Sequence, residues 1–221
     1  MCRAAKQIQE LAEFIGDKKV AKEMASKYTV MKNRINKVAW DGKWYLAAFN
    51  DDKYKIGSKA NKEGKVPLNS QTWAILSRIV PEKRMESILD QIDHYLSTDY
   101  GPALFLPSYT TFKKGIGRVT AFAEGTKENA AVFSHACAFK IVADCELKRA
   151  EQAYQTYKKL LPMNPKKANH DKFKVEPYVW AEYVIGPGSK HRYGEGAFTW
   201  NTGTAPWMFT AATEWIIGVR R

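Results

Sequence analysis

Between residues 5 and 38, Ile8, Leu11, Ile15, Val20, Met24, Tyr28, Met31, Ile35 and Val38 recur at helical spacing, with Gly16-Asp17 as a break. That spacing predicts a helix pair or one interrupted helix. The pattern then changes: Trp40-Asp41-Gly42-Lys43 reads as a turn, Trp44 to Phe49 as a strand, and Asn50-Asp51-Asp52-Lys53 as the turn that reverses it. A small β-hairpin is expected there. After a polar loop, Asn69 or Ser70 can cap a helix from Gln71 to about Val80. Pro81 starts an amphipathic helix from Glu82 to Leu96 with Met85, Ile88, Leu89, Ile92 and Leu96 on one side.

A long connection rich in Gly, Pro and Tyr runs from Asp99 to Lys127 and ends in Gly125-Thr126-Lys127-Glu128-Asn129. From Glu128 onward Ala130, Ala131, Val132, Phe133, Ala136, Cys137, Ala138, Phe139, Ile141 and Val142 are apolar nearly all round, which predicts a helix buried on most faces. Arg149 to Leu161 is amphipathic. Val175 to Tyr183 reads as a short aromatic helix, and Thr202-Gly203-Thr204 opens a last apolar helix ending near Gly218. Long loops thus feed apolar helices near 70, 128, 177 and 204, and amphipathic helices follow the first two. The alternation predicts a layered toroid of helices, with those loops gathered at one mouth.

Two features of that mouth carry chemistry. Glu128 and His135 stand seven residues apart, two turns of a continuous helix. They read either as polar groups lining a pocket or as a dipole-compensating acid and a core histidine satisfied by a carbonyl. Thr202-Gly203-Thr204 offers a hydroxyl and unpaired N–H groups at a helix start, the arrangement that holds an anion, although a threonine cap alone needs no ligand. Aromatics and acids near these loops (Tyr178, Trp180, Tyr183, Trp200, Trp207, Glu176, Glu182) suit sugar faces and hydroxyls, or core packing. Together they suggest a phosphate and a sugar in one pocket.

Composition narrows the classes. The 221 residues, 45% apolar, suffice for one large domain or a piece of a larger one. A net charge of +12 raises the question of a polyanion, but the lysines fall in scattered pairs such as Lys18-Lys19, Lys113-Lys114 and Lys158-Lys159, without a nucleic-acid motif. No nucleic-acid partner is expected. Cys2, Cys137 and Cys145 lack metal spacing and read as thiols of a reducing compartment, the last two buried. The chain shows neither a signal peptide nor a membrane-spanning run, so a cytoplasmic location and no membrane partner are expected.

Five linked stretches carry a resemblance. Trp40-Asp41-Gly42-Lys43-Trp44-Tyr45, Asn69-Ser70-Gln71-Thr72-Trp73, Gly125-Thr126-Lys127-Glu128-Asn129 with His135, Val175-Glu176-Pro177-Tyr178-Val179, and Trp200-Asn201-Thr202-Gly203-Thr204-Ala205 resemble the cellobiose, cellodextrin and chitobiose phosphorylases of glycoside hydrolase family 94. The resemblance implies an all-α fold, an (α/α)6 six-hairpin barrel of which residues 1–221 supply roughly the second half. It implies inverting phosphorolysis of a β-linked gluco-oligosaccharide to an α-sugar 1-phosphate, with inorganic phosphate as co-substrate and no metal or organic cofactor. By it, His135, Thr202 and Gly203 bind phosphate, Lys127 and Glu128 contact sugar hydroxyls, and Gln71 and Glu182 are sugar-contacting or supporting residues. Association into a homodimer is a further expectation of the resemblance.

The general-acid aspartate, in a Trp-Asn-Asp type motif, lies upstream in that family, and no such motif occurs here. The expectation is a piece of a phosphorylase, without the N-terminal β-sandwich, the first half of the barrel and the C-terminal tail, and silent by itself. Two other readings remain open: the phosphorylase-like domain of cyclic β-1,2-glucan synthases, and a carbohydrate-binding remnant without catalysis.

Overall fold

Gly16, at φ +80°, ends helix α1 (Cys2–Phe14) and turns the chain into α2 (Lys18–Val38), where the Asp17 carboxylate accepts from the Val20 N–H at 3.0 Å. The interrupted apolar spacing is therefore an antiparallel pair. The structure, a computed structural model, describes residues 1–167 and 169–219. Helix α2 crosses the end of α3 (Leu68–Leu76). There the Tyr28 hydroxyl donates to the Arg78 carbonyl and the Asn36 amide to that of Ile79, each at 2.8 Å. Carbonyls just past the end of α3 are thus satisfied by a neighbouring helix.

Helix α3 starts earlier than the expected cap at Asn69 or Ser70, directly after Pro67. Gln71 consequently lies inside the helix with no exposed surface. Its Oε1 accepts from the Tyr45 N–H at 2.8 Å, and its Nε2 donates to the Tyr45 and Pro67 carbonyls at 2.8 and 2.9 Å. Of the two roles expected of Gln71, sugar contact or support, a direct contact does not arise because its amide is used up in the core, which leaves the supporting one. It fastens the extended Trp44–Leu46 segment to α3, next to the short hairpin of β1 (Ala48–Phe49) and β2 (Lys55–Ile56). Helix α4 (Glu82–Asp90) runs on into a π-helical turn at Gln91–Tyr95.

The centre of the molecule is α5 (Ser134–Glu146), which packs on α3 and on α6 (Ala150–Leu160) and buries nine of its thirteen residues. Two of the nine are charged. Lys140 Nζ pairs with Asp144 at 2.6 Å and Asp93 at 3.4 Å, and donates to the Thr156 hydroxyl at 2.9 Å. Arg149 joins both aspartates, with Asp144 at 2.6 Å. The network ties α5, α6 and the π-helical turn into one unit. Cys137 is buried in the same helix, and burial pushes its thiol up to about 12; Cys145 is only half-buried.

Two expectations are corrected here. Helix α5 begins at Ser134 and not at Glu128, because Lys127 (φ +47°) and Ala130 (φ +67°) take left-handed conformations that no α-helix passes through. Gly125 to Asn129 form a closed turn instead, with the Gly125 N–H on the Asn129 carbonyl at 3.0 Å. The segment expected as an aromatic helix becomes strand β4 (Ala181–Val184). It pairs antiparallel with β3 (Val132–Phe133), through Val132↔Val184 and Phe133↔Tyr183, and with β5 (Gly196–Thr199), through Tyr183↔Ala197. Val, Trp and Tyr are strand formers, and pairing on both edges decides the outcome. Among the described residues the domain is thus mainly helical, and beside the expected hairpin it carries a second antiparallel sheet, of three strands. Short helices α7 (His170–Phe173) and α8 (Thr204–Thr210), the latter extended by a π-helical turn at Ala211–Ile216, complete it. Among the described residues no helix is long and apolar enough to cross a membrane.

Candidate functional site

The turn that precedes β3 is held from three sides. The Asn129 side chain, fully buried, accepts from the Tyr109 N–H at 2.8 Å and donates to the Tyr109 and Phe122 carbonyls at 2.9 and 2.8 Å. On the opposite side the Gly186 N–H reaches the Gly125 carbonyl at 2.8 Å. A Cβ on Gly186 would stand 2.2 Å from the Ala130 carbonyl oxygen, so only glycine lets the two backbones touch there. This anchoring presents Lys127 and Glu128 outward from a rigid base.

They open onto a cleft of about 530 Å³ walled by Arg118, Phe122, Lys127, Glu128, Glu182, Phe198 and Asn201, with Phe133 as part of its lining. The Lys127 ammonium lies 5.1 Å from the Phe122 ring centre and 5.3 Å from that of Phe198, a cation held between two aromatic faces. Glu182 projects from β4 into the same space. Burial first, and then the nearby Glu128 charge, push its carboxyl above the usual glutamate value, while Lys127 pulls it back. The cleft therefore joins two carboxylates and two cations beside aromatic rings, the inventory that hydroxyl-rich ligands require.

His135 stands on the first turn of α5, immediately after the cleft-lining Phe133 and Ser134. Its ring packs 4.6 Å from Phe139 and 6.2 Å from Trp207. Its Nε2 is buried without a hydrogen-bond partner in the protein, so the carbonyl that would satisfy a core histidine is missing. Gly203 abuts the ring: a Cβ there would come within 2.8 Å of Cε1 and 3.1 Å of Nε2. Thr202 sits beside it, its hydroxyl accepting from the Thr204 N–H at 3.0 Å and bonded to the Thr204 hydroxyl. The three residues assigned by resemblance to one anion thus converge. The connection between them and the cleft is short in sequence, since Asn201 lines the cleft and Thr202 follows it.

Glu128 lines the cleft and His135 opens α5, so the two are joined through a turn and a strand rather than along one helix. Gln71 does not join them. Glu176, expected near the mouth, accepts from the Thr199 hydroxyl at 3.2 Å and does not line the cleft. Arg118 and Asn201 were not singled out from the sequence. Asn201 could have been found from its place directly before the Thr202-Gly203 turn. Arg118 lies on a 3-10 turn whose position depends on distant packing.

Burial holds the His135 ring below the ordinary histidine value of 6.5. The unfolded chain therefore binds a proton on this residue before the folded protein does. Between 6.5 and the lowered folded value, stability falls as pH falls. The expected result is that thermal melts of the wild type between pH 7 and 5 lose more stability than those of His135→Asn. Parallel pH profiles for the two proteins would contradict the assignment of a neutral, buried ring.

Comparison with known proteins identifies the family. The model of the glycosyl hydrolase 94 superfamily catalytic domain matches residues 1–218. Solabiose phosphorylase of Paenibacillus borealis is 41% identical over 216 residues, covering 97% of this chain and 28% of that protein. N,N'-diacetylchitobiose phosphorylase of Vibrio furnissii is 36% identical over 200 residues, 88% of this chain and 25% of the relative. The cyclic beta-(1,2)-glucan synthase NdvB of Rhizobium meliloti is 31% identical over 198 residues, 86% of this chain and 7% of the relative. The chain thus spans little more than a quarter of the length of these phosphorylases.

Proposed function

Because the chain belongs to the glycosyl hydrolase 94 superfamily, we propose that it carries the phosphate- and sugar-binding part of an inverting phosphorylase that cleaves β-linked disaccharides or short oligosaccharides. The observation that carries this reading is the unpartnered His135 Nε2, pressed against Gly203 beside a cleft that holds Lys127, Glu128 and Glu182. A buried ring nitrogen without a partner is costly unless a ligand supplies one. Phosphate fits, taking a hydrogen bond from the ring and others from the Thr202 hydroxyl and the backbone at Gly203.

In this reading a phosphate oxygen attacks the anomeric carbon from the face opposite the glycosidic bond. The new C–O bond forms as the glycosidic C–O bond breaks, and the departing sugar oxygen takes a proton from a general acid. Phosphate is already a nucleophile at neutral pH, so no base is needed to activate it, in contrast to an inverting hydrolase. What the site must do is hold the anion against the carbon, as His135, Thr202 and Gly203 would. Lys127 and Glu128 hold sugar hydroxyls, and Glu182, with its raised carboxyl, supplies a further hydrogen-bonding group. No residue of the cleft is assigned the acid role. The helix pairs would form one side of an (α/α) barrel.

The test is release of α-sugar 1-phosphate from solabiose, chitobiose and cellobiose in phosphate buffer, with bound sugar and phosphate measured in parallel. Binding of both without release is expected of this chain alone. Release by the chain alone would show that one of its own acids protonates the leaving group. Absence of both phosphate and sugar binding by the folded chain would overturn the reading. The relationship to NdvB supports a second one, a domain acting on a β-1,2-glucan, which preferential binding of sophorose would favour.

A further inference from the structure

Two walls of the cleft come from loops, which have no ladder of backbone bonds to fix them and must be held from outside. Arg118 and Phe122 stand on and just after a 3-10 turn, Arg118–Ala121, and the Arg118 guanidinium lies 5.6 Å from the Phe122 ring centre, the ring that also faces the Lys127 ammonium. Lys127 and Glu128 stand on the turn that Asn129 ties to Tyr109. The segment from 109 to 120 serves both. At its far end the Thr120 hydroxyl donates to the Gly117 carbonyl at 2.8 Å and accepts from the Lys113 N–H at 2.8 Å, while the Lys113 carbonyl accepts from the N–H groups of Ile116 and Gly117 at 2.9 and 2.8 Å. The Arg118 turn is therefore placed wherever Lys113 is placed.

Glu63, which does not line the cleft, places it. Its Oε1 accepts from the Thr110 N–H at 3.0 Å and from the Thr110 hydroxyl at 2.7 Å, and its Oε2 stands 2.6 Å from the Lys113 ammonium. The side chain is 14% exposed, so these charge-assisted bonds are only weakly screened. Burial pushes the carboxyl upward, but the bonds from Lys113 and Thr110 outweigh it and hold the group below the usual glutamate value. The backbone beside it is fixed as well: the N–H groups of Gly64 and Lys65 donate to the Pro107 and Leu106 carbonyls, each at 2.9 Å. That pairing and the Asn129 bonds hold the start of the segment. Beyond Tyr109, its polar side-chain ties to the rest of the molecule among the described residues are Glu63 and the Asn50 amide, which reaches the Gly115 carbonyl at 3.2 Å.

We propose that Glu63 is a positioning residue of the sugar site: by clamping Thr110 and Lys113 it sets the Arg118 and Phe122 wall against the Lys127 and Glu128 turn, and so the fit of a sugar between them. What occupies the cleft rests on the phosphorylase reading. Without the clamp, the internal bonds of the segment keep its shape but not its place, and a ligand must order the wall as it binds, which lowers its affinity. The phosphate candidates are independent of the clamp. His135 stands on α5 and Thr202 and Gly203 at the start of α8, and none of the three bonds to the segment from 109 to 120.

Calorimetric titration of the intact chain and its variants with cellobiose, and separately with inorganic phosphate, decides it. Glu63→Ala should weaken cellobiose binding by at least about tenfold, as the loss of one charge-assisted bond does, and leave phosphate affinity unchanged. Glu63→Gln keeps an acceptor for Thr110 but not the ion pair, and should fall between Glu63→Ala and wild type. Should Glu63→Ala not fold, Glu63→Gln and Thr110→Val carry the same comparison. Unchanged cellobiose affinity in a variant shown to be folded by circular dichroism would overturn the proposal. So would an equal loss of cellobiose and phosphate, which would make Glu63 a general support of the fold. Either result leaves the phosphorylase reading standing as long as wild type binds both ligands. A folded wild-type chain that binds no cellobiose would overturn the proposal, and one that binds neither ligand would overturn the phosphorylase reading with it.

Discussion

Gly203→Ala should lose phosphate binding by at least about a hundredfold, on the order of 3 kcal/mol, the size of effect seen when one preorganised donor to an anion is removed. The cause is steric and local. The backbone at Gly203 has φ −74°, which alanine adopts without strain, so the fold should be unaffected. The added methyl, however, would stand 2.8 Å from His135 Cε1 and 3.1 Å from Nε2. The ring cannot retreat, because Phe139 and Trp207 back it. It must tilt, and Nε2 then no longer points toward the proposed phosphate position. Phosphate titration by calorimetry, with a thermal melt as control, reads the effect. Unchanged phosphate affinity in a normally folded Gly203→Ala protein would separate Gly203 from the anion site.

Asp144→Ala should cost about 3–5 kcal/mol of stability, the typical penalty for removing one partner of a buried ion pair. Its side chain is 3% exposed and stands 2.6 Å from both Lys140 and Arg149. Without it, Lys140, whose side chain is 7% exposed, keeps only Asp93 at 3.4 Å and the Thr156 hydroxyl. A double replacement, Lys140→Met with Asp144→Leu, removes the pair together and leaves Arg149 with Asp93. It should be closer to wild type than Asp144→Ala, since no buried charge is stranded. Urea denaturation of the three proteins checks both statements. A single mutant within about 1 kcal/mol of wild type would mean that the network is hydrated and contributes little.

Where apolar spacing was unambiguous, the sequence was legible: the two N-terminal helices, α4, α6 and the last helix all lie where periodicity places them. The boundaries near the site were not. A run such as Ala130 to Phe133 is apolar in any conformation, and periodicity cannot separate the edge of a helix from a two-residue strand. What decides it is the partner. Val132 and Phe133 find β4 from some fifty residues further along the chain, and the left-handed Lys127 and Ala130 exclude helix before them. The same holds for Ala181 to Val184, a segment expected to belong to a short helix, which is a strand because β3 and β5 flank it.

The candidate site divides in the same way. Family-level motifs pointed to His135, Thr202, Gly203, Lys127, Glu128 and Glu182. The fold brings His135, Gly203 and Thr202 together in one place and Lys127, Glu128 and Glu182 in the adjoining cleft. For Gln71 that route left sugar contact and support open together, because a motif records which residues recur together and not whether a side chain faces a ligand or a neighbouring backbone. Only the helix start at Leu68 turns Gln71 into the core, where its amide meets Tyr45.

The sequence by itself determined the helical class and the order of most elements, which rest on spacing along the chain, and its linked motifs pointed to the superfamily. Tertiary structure alone decided that Gly186 lets the Glu128 turn lie flat against a distant loop, that His135 keeps an unpartnered nitrogen, and that Arg118 shares a ring with Lys127. Each of those is a contact across many residues, and a contact of that kind depends on where the backbone passes rather than on what either segment prefers.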